Sequence, residues 1–483
     1  MHDVIIVGSG AGGSAAAYAL VQAGLSVLLI EKGGDLPRDA STLDIQKVVH
    51  EGQFRSHERW LDGKGRQVVP EEYFNIGGKT KWYGAALLRY DQTEFAADQA
   101  HACAACAPWP IAAAELANEY AEAEQLLGVT RFDRESGLTA ICNRLNRTAP
   151  AWRCMPLPLS LAPQVLNDRH EARHFDGFAS ARDLKGDAET GFLARVRGAG
   201  NLQVMTGTSV TDLLPAADNV QRVIGVRLED GSTLTARAVL LAAGALHSPR
   251  LLQRYVRRNW IESTLPCADN IGRHLKLHLL TAMVAISPSV KRDVIRKTTL
   301  LLNAAYPHSS VQPLGFDGEL ISTLIPGAVP RTIARFMGDR AYGFFLQTED
   351  AAHRDNRVID AATGAALPVL DYDPARSPAA LREHQRLVAG LRRDLARIGL
   401  IAFSRRVGIT GTAHASGTLR AGDDPATSVV DAYGRVHGMQ SLYVVDGSVL
   451  PRSSRVNPSL TIFAWSLRTA RHLAQELHGR MAA

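Results

Sequence analysis

The opening of this chain leaves few choices of fold. From Asp3 to Gly33 it reads DVIIVGSGAGGSAAAYALVQAGLSVLLIEKG. Asp3–Val7 is a short apolar run, as expected of a strand buried on both faces of a parallel sheet. Gly8, Gly10 and Gly13 follow in GxGxxG spacing, with Ser9 and Ala11 between them. Gly8 permits a tight turn, Gly10 lets the backbone approach a pyrophosphate, and Gly13 lets helix and strand pack closely. An alanine-rich helix is expected from about Ser14 to Ala23, stopping at Gly24. Its free N–H groups and positive dipole end suit a diphosphate. A second strand over Ser26–Ile30 delivers Glu31, a carboxylate suited to accept from ribose hydroxyls. Strand, glycines, helix, strand and terminal acid in register describe a dinucleotide-binding βαβ unit. The acid in place of a neighbouring arginine argues against NADP and leaves NAD and FAD both open.

At 483 residues the chain exceeds one ordinary core, so two domains are expected. The net charge of +6 comes from dispersed basic residues without a run or tail, and no nucleic-acid partner is expected. No apolar stretch is long enough to cross a bilayer, so no membrane insertion is expected. The first strand begins at residue 3 and leaves no room for a signal peptide, which predicts a cytoplasmic location. The cysteines are Cys103, Cys106, Cys142, Cys154 and Cys267, an odd count that does not suggest a disulfide framework. His101, Cys103 and Cys106 form one ligand pair where a structural zinc takes two. Cys142 and Cys154 lie far along the chain, and reduced thiols without a metal are expected.

Between the ends, residues 36–75 are polar and irregular. Asn75–Tyr90 (NIGGKTKWYGAALLRY) is a glycine-rich turn running into an apolar stretch. Residues 111–128 read as helix. Residues 201–245 alternate like strands, with a hairpin turn at Asp230-Gly231, and close on AVLLAAGALHSPRLL. Residues 281–405 carry the fewest motifs and one helix around Ser377–Ile398, and are expected to face the substrate. Near the C-terminus His414 stands in a loop of small residues. Asn457 follows later, then Pro458 and an amphipathic helix whose buried face is marked by Leu460, Phe463, Ala464, Leu467 and Leu473. Asn457 reads equally as a helix cap, with Pro458 in the first turn. His414 alone reads as a hydrogen-bonded loop histidine.

Together these segments resemble the glucose–methanol–choline (GMC) family of FAD-dependent oxidoreductases, in the form of its bacterial dehydrogenase-type members. The resemblance is carried by the βαβ unit, GGKTKWYGAAL, WPI at Trp109–Ile111 and NLQVMTGTSV. It continues through LLAAGALHSPRLL, NIGRHLKLH at Asn270–His278 and the closing block, in the family's order. It implies a Rossmann-like α/β FAD-binding domain with a parallel sheet, assembled from 1–35, 68–92, 195–280 and 408–483. It also implies an α+β substrate domain with an antiparallel sheet, from 93–194 and 281–407. By match of motif, His414 would be the catalytic base and Asn457 would fill a second position that is His or Asn in the family. Gly8, Ser9, Gly10, Ala11, Gly13, Glu31, Gly78, Thr80, Val210, Ala243, Asp446, Pro458 and Leu460 would hold the FAD. Val210 would meet adenine through its backbone, Asp446 would lie by the ribityl–pyrophosphate region, and the backbone after Pro458 would face the pyrimidine edge of the flavin. The helix start would place positive dipole beside a reduced flavin's negative charge.

Two departures matter. The usual GTCRMG reads GTLRAG at Gly417–Gly422, at positions not expected to do chemistry. Trp82 stands where an Asn or a flavin-linking His is usual, so non-covalent FAD is expected. Some relatives carry an iron–sulfur cluster, for which Cys142 and Cys154 are too sparse.

The activity implied is oxidation of a CH–OH group, with hydride passing to flavin N5. His414 would accept the hydroxyl proton and Asn457 would hold the same oxygen. The electron acceptor is oxygen, a quinone or a redox protein. A small sugar, amino sugar or polyol is the favoured substrate, and a sterol, terpenoid or aryl alcohol is the alternative. Among rival readings, an NAD-dependent dehydrogenase leaves the closing block unexplained. A flavoprotein monooxygenase has no use for the His414–Asn457 pair. A flavin-binding subunit without turnover is disfavoured by the presence of both residues.

Overall fold

The computed structural model describes residues 2–96, 107–325, 329–361 and 366–482. The opening strand, His2–Val7, lies at the centre of a parallel sheet, and its Val4, Ile5 and Ile6 are fully buried. Val27–Ile30 pairs on one side of it and Thr233–Leu241 on the other. Leu202–Met205 extends the first flank and Leu442–Val444 the second, all parallel. The long strand Thr233–Leu241 changes partner along its length. Its residues 239–241 pair with Leu442–Val444, while residues 233–235 pair antiparallel with Val223–Leu228. Val210–Pro215 completes that meander. The hairpin turns at Asp230-Gly231 as the sequence predicts, with Gly231 at φ +87°.

The helix after the glycine loop spans Ala11–Gln22, starting earlier than the Ser14 expected from the sequence. Gly12 and Gly13 look like loop residues, yet they form its first turn because no side chain fits there. A Cβ on Gly12 would lie 1.9 Å from the Val445 carbonyl oxygen, and one on Gly13 would lie 1.8 Å from that of Gly8. The helix ends in a Schellman turn. Leu25 N–H reaches Leu20 O at 3.1 Å, Gly24 N–H reaches Val21 O at 2.9 Å, and Gly24 has φ +82°.

The last helix, Ser459–Ala482, returns to pack on the first. Ser466 Oγ donates to Gly12 O at 2.5 Å and Trp465 Nε1 to Val444 O at 3.3 Å. The helix Gly244–Arg258 contains Pro249, which leaves the Ala245 carbonyl without its helical donor. The Thr418 hydroxyl, in the GTLRAG segment, takes that place at 2.7 Å.

A six-stranded antiparallel sheet stands apart from this unit, in the order Ile401–Arg406, Leu279–Ile286, Ala341–Thr348, Ser309–Pro313, Thr299–Asn303, Trp152–Pro156. The helix Pro378–Arg397 packs on it and buries Leu387, Leu391 and Leu395. A smaller sheet joins Arg357–Ile359, Val369–Asp371, Trp60–Asp62 and Gln67–Val68. Its last two strands fall in the stretch read from sequence as irregular, where two to three residues are too few for a period to show. No helix among the described residues is long and apolar enough to cross a membrane. His101, Cys103 and Cys106 lie outside the described residues, and Cys142, Cys154 and Cys267 are free thiols.

Candidate active site

A cavity of about 810 Å³ runs from the first glycine loop to the antiparallel sheet. Gly8, Ser9, Gly10, Ala11, Glu31, Gly78, Thr80, Val210, Ala243, Asp446 and Pro458 line it, and so do His414 and Asn457. Gly13 and Leu460 do not contribute to its wall. Gly13 serves the contact between helix and strand, and the side chain of Leu460 is fully buried in the core.

The glycine-loop end has the features a dinucleotide needs. A Cβ on Gly10 would meet nothing within 4 Å, so the backbone there borders open space. The first helical hydrogen bond is Ser14 N–H to Gly10 O, which leaves the N–H groups of Ala11, Gly12 and Gly13 without a helical acceptor. They and the helix dipole face an anion's position. Glu31 accepts from Ser9 N–H at 2.9 Å, Ser9 Oγ at 2.7 Å and Gly33 N–H at 2.9 Å. Burial raises its pKa while these bonds oppose the rise. The carboxylate therefore also shapes the glycine loop, a role that sequence spacing does not show. Asp446 accepts from Gly244 N–H and Ser448 N–H, each at 2.9 Å, and from the Ser248 hydroxyl. It thereby joins the end of the parallel sheet to the helix carrying Pro249. These residues fit FAD.

At the other end, the antiparallel sheet holds the segment before the last helix. Gln347 Nε2 and Ser310 Oγ both donate to Arg455 O at 2.7 Å, and Gln312 Nε2 donates to Asn457 Oδ1 at 2.6 Å. Asn457 is not the helix cap that the sequence allowed. Ile462 N–H bonds to Pro458 O, so the helix starts one residue later, and the Asn457 side chain points into the cavity instead. Its Nδ2 lies 3.4 Å from His414 Nε2.

His278 completes this group. Its Nδ1 is 3.0 Å from His414 Nδ1, and its Nε2 is 2.8 Å from Ser454 O. A carbonyl only accepts, so His278 Nε2 carries a hydrogen. Burial lowers the His278 pKa and keeps the ring neutral, so its Nδ1 is an acceptor. His414 must then donate from Nδ1, which leaves the lone pair of its Nε2 directed at Asn457 and the cavity. Burial, then His278, Lys297 and Lys79, hold the His414 pKa well below its usual value. The His414 ring is half-buried and faces the cavity. His278 (φ +62°) and Ser454 (φ +67°) both sit in the left-handed region. Each such residue costs about 1–3 kcal/mol, a strain that clusters at functional sites. Glu94 holds Ser454 in place by accepting from Ser454 Oγ at 2.7 Å and Arg455 N–H at 2.9 Å.

The NIGRHLKLH segment carries the family resemblance, but nothing in its spacing gives His278 a part. Nor does the sequence mark Gln312, Glu94 or the buried ion pair Lys297–Asp176. These lie on separate elements, and no spacing connects them. Trp82, singled out from sequence, donates its indole N–H to Asn75 Oδ1 at 2.9 Å and stacks between Tyr73 and Phe54 on the cavity wall.

Comparisons with known proteins bear on the family and the fold of the chain. Residues 3–262 match a family model described as FAD dependent oxidoreductase, and residues 352–466 match one described as GMC oxidoreductase. The chain is 30% identical over 539 residues to 6'''-hydroxyparomomycin C oxidase of Streptomyces lividus, covering 100% of this chain and 93% of that protein. It is 31% identical over 524 residues to paromamine 6'-oxidase of Streptomyces fradiae, with the same coverage. Pyridoxine 4-oxidase from Mesorbium loti has the same fold, with a TM-score of 0.69 at 20% identity over 98% of this chain and 99% of that one. A two-ended cavity of this build, with these relatives along its whole length, makes the chain a member of the GMC oxidoreductase family, an FAD-dependent enzyme that oxidises CH–OH groups.

Proposed function

We propose that the substrate is a sugar, amino sugar or polyol and that His414 is the base that takes its hydroxyl proton. The observation that carries this reading is the chain Ser454 O, His278, His414, which leaves His414 Nε2 unprotonated beside Asn457. Bound FAD supplies the two-electron acceptor for the hydrogen leaving carbon. His414 Nε2 receives the O–H proton as the carbonyl forms, and Asn457 Nδ2 donates to the same oxygen. Gln312 holds the Asn457 amide in that orientation. The ion pairs Lys79–Glu72 and Lys297–Asp176 on the cavity wall favour a hydroxyl-rich substrate over an apolar alcohol. The names of the two aminoglycoside-oxidising relatives point the same way. Trp82 offers no nucleophile to the cofactor, which supports non-covalent FAD.

The test is anaerobic titration of the yellow holoenzyme with sugars, amino sugars, polyols, aryl alcohols and sterols, read as loss of the oxidised flavin band. Bleaching by a sugar-type alcohol is expected. In the His414→Ala variant, bleaching should slow by roughly 10²–10⁴-fold with FAD content unchanged. Undiminished reduction of that variant would remove His414 from the base role.

A further inference from the structure

The ion pair Lys297–Asp176 is a buried charged group on the cavity wall that the reaction itself does not use. Lys297 Nζ lies 3.1 Å from both Asp176 oxygens, and the two side chains are 6% and 10% exposed. Asp176 Oδ2 also accepts from Gly315 N–H at 2.8 Å. The pair rests on the backbone of Gly84, where a Cβ would lie 2.1 Å from Lys297 Nζ and 2.2 Å from Asp176 Oδ1. Gly84 belongs to the glycine-rich stretch that carries Gly78 and Trp82, and all three, with Asp176 and Lys297, line the cavity. The charge of Lys297 reaches His414.

Counting hydrogen-bonding capacity shows what the pair leaves over. An ammonium has three hydrogens, and Asp176 is the acceptor for Lys297 among the described residues. A carboxylate has about four acceptor positions, and Asp176 uses three. One donor and one acceptor therefore remain side by side, with no net charge. A hydroxyl group matches this, since it accepts and donates at once. An amine carrying a positive charge has nothing to give the ammonium, and a carboxylate has nothing to give Asp176.

We propose that Lys297 and Asp176 form a specificity subsite for a second, neutral hydroxyl of the substrate, separate from the hydroxyl that is oxidised. The proposal rests on the reading of the substrate as a sugar, amino sugar or polyol. It adds that any ammonium group of an amino sugar lies elsewhere, and that an alcohol lacking the second hydroxyl leaves a buried charged pair unmatched and reacts slowly.

The test combines a protein change with a substrate change. The probe is the sugar, amino sugar or polyol that bleaches the flavin, with its analogues lacking one non-reacting hydroxyl each. The protein is the holoenzyme and its Lys297→Met/Asp176→Asn double variant, in which neither partner is left as an unpaired buried charge. In the wild type, removal of one particular hydroxyl should lower kcat/KM roughly tenfold or more. In the double variant the same removal should change it less than about threefold, with FAD content unchanged. A second readout is the dissociation constant of an analogue that keeps this hydroxyl but lacks the reacting one, followed by the shift of the flavin spectrum. It should weaken in the variant by a similar factor. Equal sensitivity of both proteins to every hydroxyl overturns the subsite while leaving the CH–OH reading intact. If no sugar, amino sugar or polyol bleaches the wild type, the parent reading fails and the subsite falls with it. A double variant that does not fold is replaced by Lys297→Leu/Asp176→Asn, which likewise leaves no unpaired buried charge and for which the same loss of discrimination is expected.

Discussion

His278 does not itself line the cavity, yet it decides which nitrogen of His414 carries the hydrogen. The Ser454 carbonyl fixes the His278 hydrogen on Nε2, and that choice passes through the 3.0 Å contact to fix the hydrogen of His414 on Nδ1. Leucine at 278 removes the acceptor and places a bulky side chain at φ +62°. Asparagine tolerates that backbone and offers an amide oxygen in the same direction. The expected result is a fall in kcat/KM of about 10–100-fold for His278→Leu, of which His278→Asn recovers most, both with FAD bound. The pH profile supplies the readout that a structural role would not move. A base works unprotonated, so a lowered pKa extends its active range towards acid. The rate of flavin reduction in the wild type should stay flat from high pH down past 6.5, the ordinary histidine value, and fall only below it. In His278→Leu the acid limb should move, because the ring has lost the neighbour that fixed its tautomer. An acid limb above 6.5 in the wild type would exclude His414 as the base.

At the scale of the element, the helix Ala11–Gln22 separates two uses of glycine. Gly12 serves packing, since any side chain there drives into the Val445 carbonyl at 1.9 Å. Gly10 would serve the cofactor, since a side chain there would enter empty space in the protein alone. Gly12→Ala should therefore destabilise the fold by several kcal/mol, on the order expected for overpacking against backbone. Gly10→Ala should leave the stability of the FAD-free protein within about 1 kcal/mol of wild type and lower FAD occupancy. Denaturant titration of the FAD-free proteins and the flavin-to-protein absorbance ratio of the holoenzymes check the two separately. Equal loss of stability in both would mean that the loop is rigid throughout. The contrast also shows what the sequence can reveal. Spacing identifies Gly8, Gly10 and Gly13, and with them the strand, helix and Glu31, because these residues follow one another closely along the chain. Gly12 was invisible, because the group it must avoid comes from residue 445. The Thr418 hydroxyl that satisfies Ala245 O was hidden for the same reason, although Pro249 announced that an acceptor would be left free. Asn457 was legible as a residue of interest but not as one that leaves the cap to Pro458, since Gln312 fixes it from another sheet.

Across the whole molecule, the two ends of the chain share one core and the antiparallel sheet has another. The larger cluster joins Val4–Val7 and Ala15–Ala17 to Val444, Phe463 and Leu467, while the second gathers Leu138, Leu301, Phe344, Leu387 and Leu395. The cavity lies where the units meet, walled by the glycine loop, by Ala243–Ala245, by Asp446–Gly447 and Asn457–Ser459, and on the far side by Leu280, Leu314 and Phe345. FAD held there would touch segments far apart in sequence and stabilise them together, by about 4 kcal/mol when its free concentration is a thousandfold above its Kd. That stabilisation would be concentrated in loops whose donors lack acceptors among the described residues, such as the N–H groups of Ala11–Gly13, and not in strands that already hold their own ladders. Removal of FAD should therefore raise amide hydrogen exchange in three segments at once: Ser9–Ser14, Ala243–Ser248 and Asp446–Ile462. The paired strands Leu279–Ile286 and Ala341–Thr348 should keep their protection. Deprotection confined to the first segment would mean that the C-terminal half is held without the cofactor, and uniform deprotection would mean that the two cores unfold as one. The predicted pattern requires both ends of the chain to close on the same molecule.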